Sequence, residues 1–451
     1  RVAYTDKQGY YEDLLQQAKE DNGNDGFYRV EDSGRKTKND DSLYGYRSAT
    51  IFSSLMNLDV SHLFQSLYME GGKNFYCYNG ASPLPSAMFS VKYMLSSNPV
   101  DESPLRTLVG SSNGNYLYRN NYCLPLGYMM SEKAIKGWES SMLDRIGSLN
   151  SLAQQLGAKG DMLYPATCTQ SQAAGDTTID ISEDGYYYAD YVTCNADSLT
   201  VSRDDGWTQQ YGKTTHRYLL DLGECKAGTK VHITNLNAET IEYHVYRLNF
   251  KAMCTAYETL SEQTMSLEKM TDRRIVGSID VRQAGRLILS VPADEGWSLY
   301  VDGKKTKIKP FADALIGVHL KEGTHKIELR YTTPGVQIGA VISIAALLLF
   351  LFGMWIRYKG NMGKKCISIV VPMYNEQESL QILYRELNRV TREMGDYDFE
   401  YLFVNDGSKD ATLQKIRELA AEDERVHYLS FSRNFGKEAG HDFLFQKLHE
   451  H

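Results

Sequence analysis

The stretch from Val336 to Ile356, VQIGAVISIAALLLFLFGMWI, contains no charged residue. As an α-helix it would extend about 32 Å, enough to cross the roughly 30 Å apolar core of a bilayer. A buried core helix is the alternative, but such helices rarely run this long without a charge. We therefore predict a transmembrane helix over residues 336–356, which separates the chain into two parts.

Basic residues follow this stretch directly. They are Arg357, Lys359, Lys364 and Lys365. Because positive charge collects on the cytoplasmic side of a membrane span, we expect residues 357–451 in the cytoplasm and residues 1–335 outside it, in a cell-membrane protein. The chain opens at Arg1 with no visible signal peptide, so we expect it to be a fragment of a longer protein.

Length and charge restrict the function classes. A chain of 451 residues has room for two to four domains, and a net charge of -8 argues against general nucleic-acid binding. Six cysteines precede the predicted span and Cys366 follows it. The six are Cys77, Cys123, Cys168, Cys194, Cys225 and Cys254. Their spacing fits no zinc pattern, and either disulfides or buried free thiols are compatible with it.

The patterns before the span change along the chain. Residues 1–140 mix helical and strand patterns, which indicates an α+β region, and residues 141–173 are predicted to be a helical or linker segment. Residues 174–335 contain many short strand patterns with turn signals, typical of an all-β sandwich. Asp302-Gly303 predicts a hairpin, with Trp297 beside it in the core. We expect the tyrosines at 186–188 and 191 to pack across strands rather than bind sugar.

Several of these segments carry a family resemblance. They are DSLYGY, FSVKYMLS, YRNNYCLPLGYM, GWSLYVDGKK and LKEGTHKIELRYTTPG. In this order, over residues 25–360, they resemble the C-terminal part of the YfhO family of bacterial membrane proteins. The resemblance implies a protein similar to lipid-linked-sugar glycosyltransferases, which decorate envelope polymers such as teichoic acids. The catalytic acid of that family is expected in an early outer loop that these residues do not include, so the catalytic residue is unknown.

After the span, three apolar runs alternate with two amphipathic segments. The runs are 367–372, 399–404 and 426–431. The first helix is expected to present Leu380, Leu383, Tyr384, Leu387, Val390 and Met394 to the sheet, and the second Leu413, Ile416, Leu419 and Ala420. This order predicts a Rossmann-like, doubly wound parallel sheet that binds its ligand at the carboxyl ends of the strands.

A polar segment follows each of the three strands. The segments are MYNE at 373–376, NDGSKD at 405–410 and SRNFGK at 432–437. A carboxylate there can accept hydrogen bonds from a base or ribose, Gly407 allows close backbone approach, and Arg433 and Lys437 can neutralise phosphate. The alternative is a generic α/β fragment with solvated loops.

IVVPMYNE, VNDGSKDAT and SRNFGKEA together resemble family 2 glycosyltransferases of the GT-A fold, in particular polyprenyl-phosphate enzymes similar to dolichyl-phosphate mannose synthase. The resemblance implies that the donor nucleotide contacts Pro372, Tyr374, Asn375, Glu376, Asp406 and Gly407. It places Arg433, Asn434 and Lys437 near the phosphates.

The resemblance also implies a divalent metal, Mg or Mn, held by an Asp-x-Asp further along the family's fold. Here GHDFLFQKLHEH follows Ala439, so we expect an incomplete GT-A domain without the metal ligands. Asp396-Tyr397-Asp398 has the right letters but is expected to be a loop before the second strand.

We therefore expect a membrane-bound glycosyltransferase with two coupled parts. The inner part would transfer sugar from a nucleotide sugar to polyprenyl phosphate, in contact with the membrane lipid. The outer part would use that lipid-linked sugar on an envelope polymer of the teichoic-acid type. The competing hypothesis is a non-enzymatic, membrane-anchored β-sandwich that binds glycans or protein partners and has a vestigial inner segment.

Overall fold

The computed structural model describes residues 8–23, 26–192, 194–237, 240–360 and 365–436. The chain forms two compact units, Arg1–Pro334 and Gly335–His451. The first unit mixes helices with several sheets, and the second contains one long apolar helix and a small parallel sheet.

The first unit begins with a mixture of helices and strands, as the sequence predicts. The elements are α1 Gln8–Asn22, β1 Arg29–Asp32, α2 Asp40–Tyr44, β2 Ile51–Phe52, α3 Leu58–Ser66, β3 Glu70–Gly72, β4 Phe75–Cys77, α4 Pro83–Met88, β5 Val91–Ser96, β6 Arg106–Ser112, β7 Asn115–Asn120, β8 Gly127–Met130, α5 Glu132–Gly137 and α6 Arg145–Gln155. One sheet has the order β1-β5-β7-β6 and another the order β2-β4-β3. Helix α1 covers the first sheet with Tyr11, Leu14 and Ala18, because these positions fall on one helical face.

A strand-rich part follows. Its strands are β9 Leu163–Pro165, β10 Cys168–Ala173, β11 Asp176–Ile181, β12 Gly185–Tyr191, β13 Ser198–Arg203, β14 Thr208–Gly212, β15 Leu220–Cys225, β16 Lys230–Thr234 and β17 Tyr243–Leu248. They form two antiparallel sheets, β10-β11-β16-β13-β14 and β15-β12-β17-β9. Both sheets contribute to one buried cluster, with Ile179 and Leu199 from the first and Tyr187 and Leu220 from the second.

The last part of the unit contains a helix and seven strands. They are α7 Phe250–Ser261, β18 Ser266–Thr271, β19 Arg274–Val281, β20 Gly285–Pro292, β21 Trp297–Val301, β22 Lys304–Thr306, β23 Leu315–Leu320 and β24 Gly323–Tyr331. The sheets are β18-β19-β24-β21-β22 and β23-β20-β8. Asp302 and Gly303 both have positive φ, at 51° and 77°, and join β21 to β22 as the predicted hairpin.

Residues 174–335 do not form the single all-β sandwich that the sequence pattern predicted. Helix α7 lies inside that range, and the strands there belong to four sheets. Strands β9 and β10 lie inside the expected linker at 141–173, and β8 is supplied by the expected α+β region at 1–140. Domain boundaries within residues 1–335 therefore stay a prediction.

The side-chain predictions for this unit have clear outcomes. All seven cysteines are free, and Cys77, Cys194 and Cys225 are buried. Of the two alternatives, disulfides and free thiols, this structure has free thiols. Tyr187, Tyr188 and Tyr191 are fully buried and Tyr186 is partly buried, as expected for packing across strands. Trp297 is only partly buried at the edge of its cluster, where its ring meets that of Tyr331 at 5.0 Å.

The second unit begins with α8, Val336–Gly360. Its residues Val336–Tyr358 have a mean hydropathy of 2.4 and are not buried against the rest of the protein. In the described ranges this is the one helix long and apolar enough to cross a membrane. It extends beyond Ile356, the residue at which the sequence pattern predicted its end.

A three-stranded parallel sheet with two connecting helices follows. The elements are β25 Lys365–Met373, α9 Leu380–Glu393, β26 Tyr397–Asn405, α10 Thr412–Glu422 and β27 Val426–Ser430. The strand order is β25-β26-β27, so both connections step in the same direction. Leu380 of α9 and Ile416 of α10 join Tyr401 and Phe403 in one buried cluster, which places both helices on one face. Between residues 365 and 436 the helices of the other face of a doubly wound sheet are not present.

Helix α9 faces the sheet with a slightly different stripe from the predicted one. Val390 is 45% exposed and Met394 is 42% exposed, so neither is a core residue. Thr391 is buried instead, and its hydroxyl lies 2.6 Å from that of Tyr401. The helix ends at Glu393, so Met394 falls outside the repeating helical face.

Candidate functional site

Asp406, directly after β26, connects all three strand ends. Its backbone N–H donates to the Met373 carbonyl at 2.9 Å, which joins it to the end of β25. Its carboxylate accepts hydrogen bonds from the backbone N–H groups of Phe435 at 2.8 Å and Gly436 at 2.9 Å. The side chain is 8% exposed, so these charge-assisted bonds satisfy a nearly buried anion. The segment after β27 is thereby held against the end of β26.

Gly407 is in direct contact with the same segment. Its φ is +66°, and a β-carbon at this position would lie 2.4 Å from the Arg433 carbonyl carbon and 2.7 Å from the Asn434 nitrogen. Only glycine is compatible with both the backbone conformation and this contact. Gly407 thus allows close approach of backbone from this chain, and its role toward a nucleotide stays a prediction.

Asn375 links the first polar segment to the second. Its backbone N–H donates to the Ser408 hydroxyl oxygen at 3.0 Å, and its side-chain oxygen accepts from the Lys409 backbone N–H at 2.9 Å. Its φ is +54°, a conformation that asparagine tolerates better than most residues. The paired bonds fix the turn after β25 against the loop after β26.

A second set of bonds connects these loops nearer the helices. The Glu376 backbone N–H donates to the Thr412 hydroxyl oxygen at 2.8 Å. The Gln377 N–H donates to Asp410 at 3.3 Å, and the Gln377 side-chain oxygen accepts from the Ala411 N–H at 3.0 Å. The segment just before α9 is thus bonded to the start of α10.

Asp410 is the acceptor at the start of α10. Partial desolvation opposes its ionisation, but hydrogen bonds from Thr412 and Gln377 outweigh it and lower the pKa of the Asp410 carboxyl below its usual value. The polar segment predicted at 405–410 includes Ser408 and Asp410, but neither these two residues nor Thr412 and Gln377 were predicted to have a role of their own. An Asp two residues before a helical Thr is a local capping signal that points to the Asp410–Thr412 pair.

The remaining predicted donor-site residues are exposed. They are Pro372, Tyr374, Glu376, Arg433 and Asn434. Pro372 lies on an edge strand, where its missing N–H leaves no ladder partner unpaired. The Arg433 guanidinium lies 4.9 Å from the centre of the Phe435 ring. Lys437 lies outside the described residues. The structure therefore brings the three segments together and leaves these side chains free of the core.

The described ranges contain no cluster of three or more His, Cys, Asp or Glu side chains that could hold a metal ion. Asp396 is in a turn, but Tyr397 and Asp398 begin β26, so the expected loop is wrong for these two residues. They pair with Lys365 and Cys366 because β25 extends further toward its start than predicted. Asp398 is thus at the amino end of β26, whereas Asp406 follows the carboxyl end of the same strand.

Comparison with known proteins finds matches for both parts of the chain. The sequence model of the family described as "Bacterial membrane protein YfhO" matches residues 2–343. The chain belongs to the YfhO family of bacterial membrane proteins. In this YfhO-family chain a second model, "Glycosyl transferase family 2", matches residues 368–448. The order predicted from the sequence motifs is confirmed.

Individual relatives match the second part. The chain is 49% identical over 78 residues to the putative glycosyltransferase CsbB of Bacillus subtilis, which covers 17% of this chain. It is 51% identical over 72 residues to a prophage bactoprenol glucosyl transferase homolog of Escherichia coli, and 41% identical over 75 residues to an undecaprenyl-phosphate 4-deoxy-4-formamido-L-arabinose transferase of Pseudomonas fluorescens, each match covering 16% of this chain. The matched segment spans 23% of the first two relatives and 22% of the third.

Proposed function

We propose that this YfhO-family chain is part of a membrane glycosyltransferase that charges a polyprenyl phosphate with sugar. A phosphate oxygen of the lipid would form a bond to the anomeric carbon of the sugar, and the bond from that carbon to the nucleoside diphosphate would break. Relatives named for bactoprenol and undecaprenyl phosphate support this acceptor. The family 2 match supports a nucleotide-sugar donor.

The observation that carries the proposal is the position of Asp406. A nearly buried carboxylate at the carboxyl end of a parallel strand, bonded to the loop after the next strand, holds the ligand-binding edge of the sheet in one arrangement. A generic solvated loop would not need a buried charge with two backbone donors. A preformed edge of this kind reduces the entropy that is lost when a nucleotide binds.

The exposed side chains around this edge have complementary roles in the proposal. Tyr374 presents an aromatic ring that is 38% exposed and suits a nucleotide base. The carboxylate of Glu376 can accept hydrogen bonds from ribose hydroxyls. Arg433 and Asn434, on the loop that Asp406 holds, would lie toward the diphosphate, and Lys437 would add a further positive charge there.

A divalent metal, Mg or Mn, belongs to the proposed complete enzyme. It would neutralise the leaving diphosphate. The acidic side chains of residues 365–436 do not fit this role, because they form no cluster that could surround an ion.

We further propose that the two parts of the chain work in sequence on opposite sides of the membrane. Residues 357–451 would be cytoplasmic, α8 would cross the bilayer, and residues 1–335 would lie outside. The YfhO part would belong to a transferase that uses the lipid-linked sugar on an envelope polymer, for example a teichoic acid. The basic residues after α8 and the membrane family of residues 2–343 support this order.

The activity is tested in membranes supplied with a radiolabelled nucleotide sugar, Mg²⁺ or Mn²⁺, and polyprenyl phosphate. One sample contains this chain, and another contains a version extended through an Asp-x-Asp segment. We expect lipid-linked sugar from the extended version, and at least a thousandfold less when the divalent metal is removed with EDTA, since several kcal/mol of charge stabilisation are then missing. An undiminished rate without the metal would contradict its proposed role.

The site itself is tested with Asp406→Asn in the extended version. The change removes the charge that holds Phe435 and Gly436, so we expect product formation to fall at least tenfold with folding intact. Asp398→Asn is the matched control, because Asp398 is on the same strand at its other end. An Asp406→Asn protein as active as the control would contradict the donor-site assignment.

A further inference from the structure

The first unit contains a cleft of about 880 Å³ that none of the proposed steps uses. Its lining comes from distant parts of the chain, between Ser33 and Gly223. The aromatic residues among them include Phe52, Phe75, Tyr186, Tyr188, Trp207 and Tyr211. A volume within the usual range of roughly 300–1,000 Å³ and an aromatic lining are typical of sites for small organic ligands.

Two polar groups of this lining lack a hydrogen-bond partner. The hydroxyl of Tyr188 and the indole N–H of Trp207 are both shielded from solvent and unpaired. Tyr188 is 1% exposed. A buried polar group without a partner is costly, and each such case needs a structural reason. Both groups belong to residues that line the cleft, so a hydroxyl-bearing ligand there could supply the missing partners.

The base of the cleft contains a buried and well-connected polar network. Glu70 is 0% exposed and accepts hydrogen bonds from Lys38 at 2.9 Å and from the Asn79 amide at 2.8 Å. His216 lies 3.2 Å from the same carboxylate. Because Lys38, Asn79 and His216 line the cleft while Glu70 supports them from below, their positions are fixed before any ligand arrives.

The charges of the cleft are largely paired within the protein. Arg106 lies 3.1 Å from Asp221, which also accepts a hydrogen bond from Tyr186 at 2.8 Å. Lys213 lies 3.4 Å from Asp197. Paired charges provide directional donors and acceptors but little net field, which favours a neutral ligand over a polyanion.

Phe52 supplies an apolar surface to the same cleft. Its side chain is 48% exposed and belongs to the lining of the cleft. The ring can cover the C–H face of a sugar while the hydroxyl groups of that sugar meet the polar lining. We propose that this cleft binds neutral hexose units of a glycan or glycolipid.

The binding test uses the full chain in detergent micelles or nanodiscs. Trisaccharides of glucose and of N-acetylglucosamine are titrated by calorimetry, and contact is read by saturation-transfer NMR. We expect saturable binding of one of them with a Kd of about 1 mM or below. A glycerol phosphate trimer is the charged comparison. Preference for that trimer, or no saturable sugar binding up to about 10 mM, would overturn the proposal.

Matched variants place the sugar in the cleft. Tyr188→Phe removes one unpaired hydroxyl, and Tyr128→Phe removes another that is equally buried but does not line the cleft. We expect the first to weaken binding roughly three- to tenfold and the second to leave it unchanged. Equal effects of the two variants would contradict the location.

A second pair tests the apolar surface. Phe52→Ala removes an exposed ring from the cleft, and Leu143→Ala removes an apolar side chain that is 93% exposed elsewhere. We expect a loss of about tenfold in sugar affinity for Phe52→Ala alone. Unchanged affinity in Phe52→Ala would contradict its role. Both variants change exposed residues, so a change in melting temperature is not expected.

This inference is independent of the proposed donor site. Asp406→Asn should lower lipid-linked product at least tenfold without affecting trisaccharide binding, and Tyr188→Phe should weaken trisaccharide binding without affecting nucleotide binding. Failure of the cleft and failure of the proposed function are therefore distinguishable.

Discussion

Gly407 lies directly against the backbone of Arg433, so that a β-carbon on Gly407 would come within 2.4 Å of the Arg433 carbonyl carbon. Gly407→Ala is therefore expected to displace the loop that contains the Arg433 side chain. The positive φ alone costs about 1–2 kcal/mol for a residue with a β-carbon, and the contact adds to this. Hydrogen–deuterium exchange at the Phe435 and Gly436 amides should become faster, because their bonds to Asp406 are lost.

The control for this prediction is Gly436→Ala. Gly436 also has a positive φ, of 89°, but no atom lies within 4 Å of a β-carbon built there. It should therefore show the cost of the backbone conformation without the steric displacement. If the two variants exchanged equally fast at Phe435, the contact between Gly407 and Arg433 would have no separate effect.

The hairpin strand β21 gives a second prediction about stability. Leu299 is 1% exposed in the cluster that also includes Ile327 and Leu329, whereas Trp297 is only partly buried at its edge. Leu299→Ala should lower the free energy of unfolding by about 3 kcal/mol, and Trp297→Ala by about 2 kcal/mol. Chemical denaturation of the full chain in detergent measures both. A larger loss for Trp297→Ala would restore the sequence prediction that Trp297 is a core residue.

The Asp302–His325 pair predicts a pH dependence of stability. The Asp302 carboxylate accepts a hydrogen bond from His325 Nδ1 at 2.8 Å, which raises the pKa of His325 above its usual value, although partial desolvation opposes the shift. The Lys304 side chain is a nearby positive charge, and the Lys326 backbone N–H donates to the other Asp302 oxygen at 2.8 Å. Because the folded pKa is raised, the stabilisation is complete below the unfolded value of about 6.5 and is lost as the pH rises through the folded pKa.

Melting temperatures measured from about pH 5.5 to about pH 8.5 test this pair. The original protein should lose stability over this window relative to His325→Gln. Asp302→Asn should remove the same pH dependence, because it removes the charge that raises the pKa of His325. A dependence that survived in Asp302→Asn would have another origin.

The membrane orientation is tested by cysteine labelling in intact cells. Glu295 and Glu378 are both exposed and lie on opposite sides of α8 in the sequence. With the native cysteines replaced by serine, a membrane-impermeant maleimide should react with Glu295→Cys and not with Glu378→Cys. Both should react after the cells are opened. Labelling of Glu378→Cys in intact cells would reverse the orientation.

The sequence predicted the sheet after α8 well, because its strands are continuous apolar runs that end in polar segments. The prediction of single core residues was wrong where the apolar pattern of the sequence continued beyond the end of the helix. Met394, for example, follows the last residue of α9. Helix α7 was missed between strand patterns. Its start has a local signal, since the Asn249 side chain accepts from the Ala252 backbone N–H at 3.1 Å.

The donor-site segments could be found because each follows its own strand in a short stretch of sequence. Their mutual bonds could not, since the partner of Asp406 lies about 30 residues further on. The cleft was beyond sequence analysis for the same reason. Phe52 and Tyr188 are far apart in the chain, and only the packed unit brings both to one cavity.

The pairing of β8 with β20 also determines when the first unit can finish folding. β8 ends at Met130 and β20 begins at Gly285, so its neighbour is synthesised more than a hundred residues later. The Arg29 guanidinium likewise donates to Ser290, 261 residues away. An emerging chain must therefore keep an early apolar strand unpaired until its late partner arrives, and closing such a long loop is slow. During synthesis this strand is the natural target for a chaperone, and truncation before Gly285 would leave an aggregation-prone intermediate.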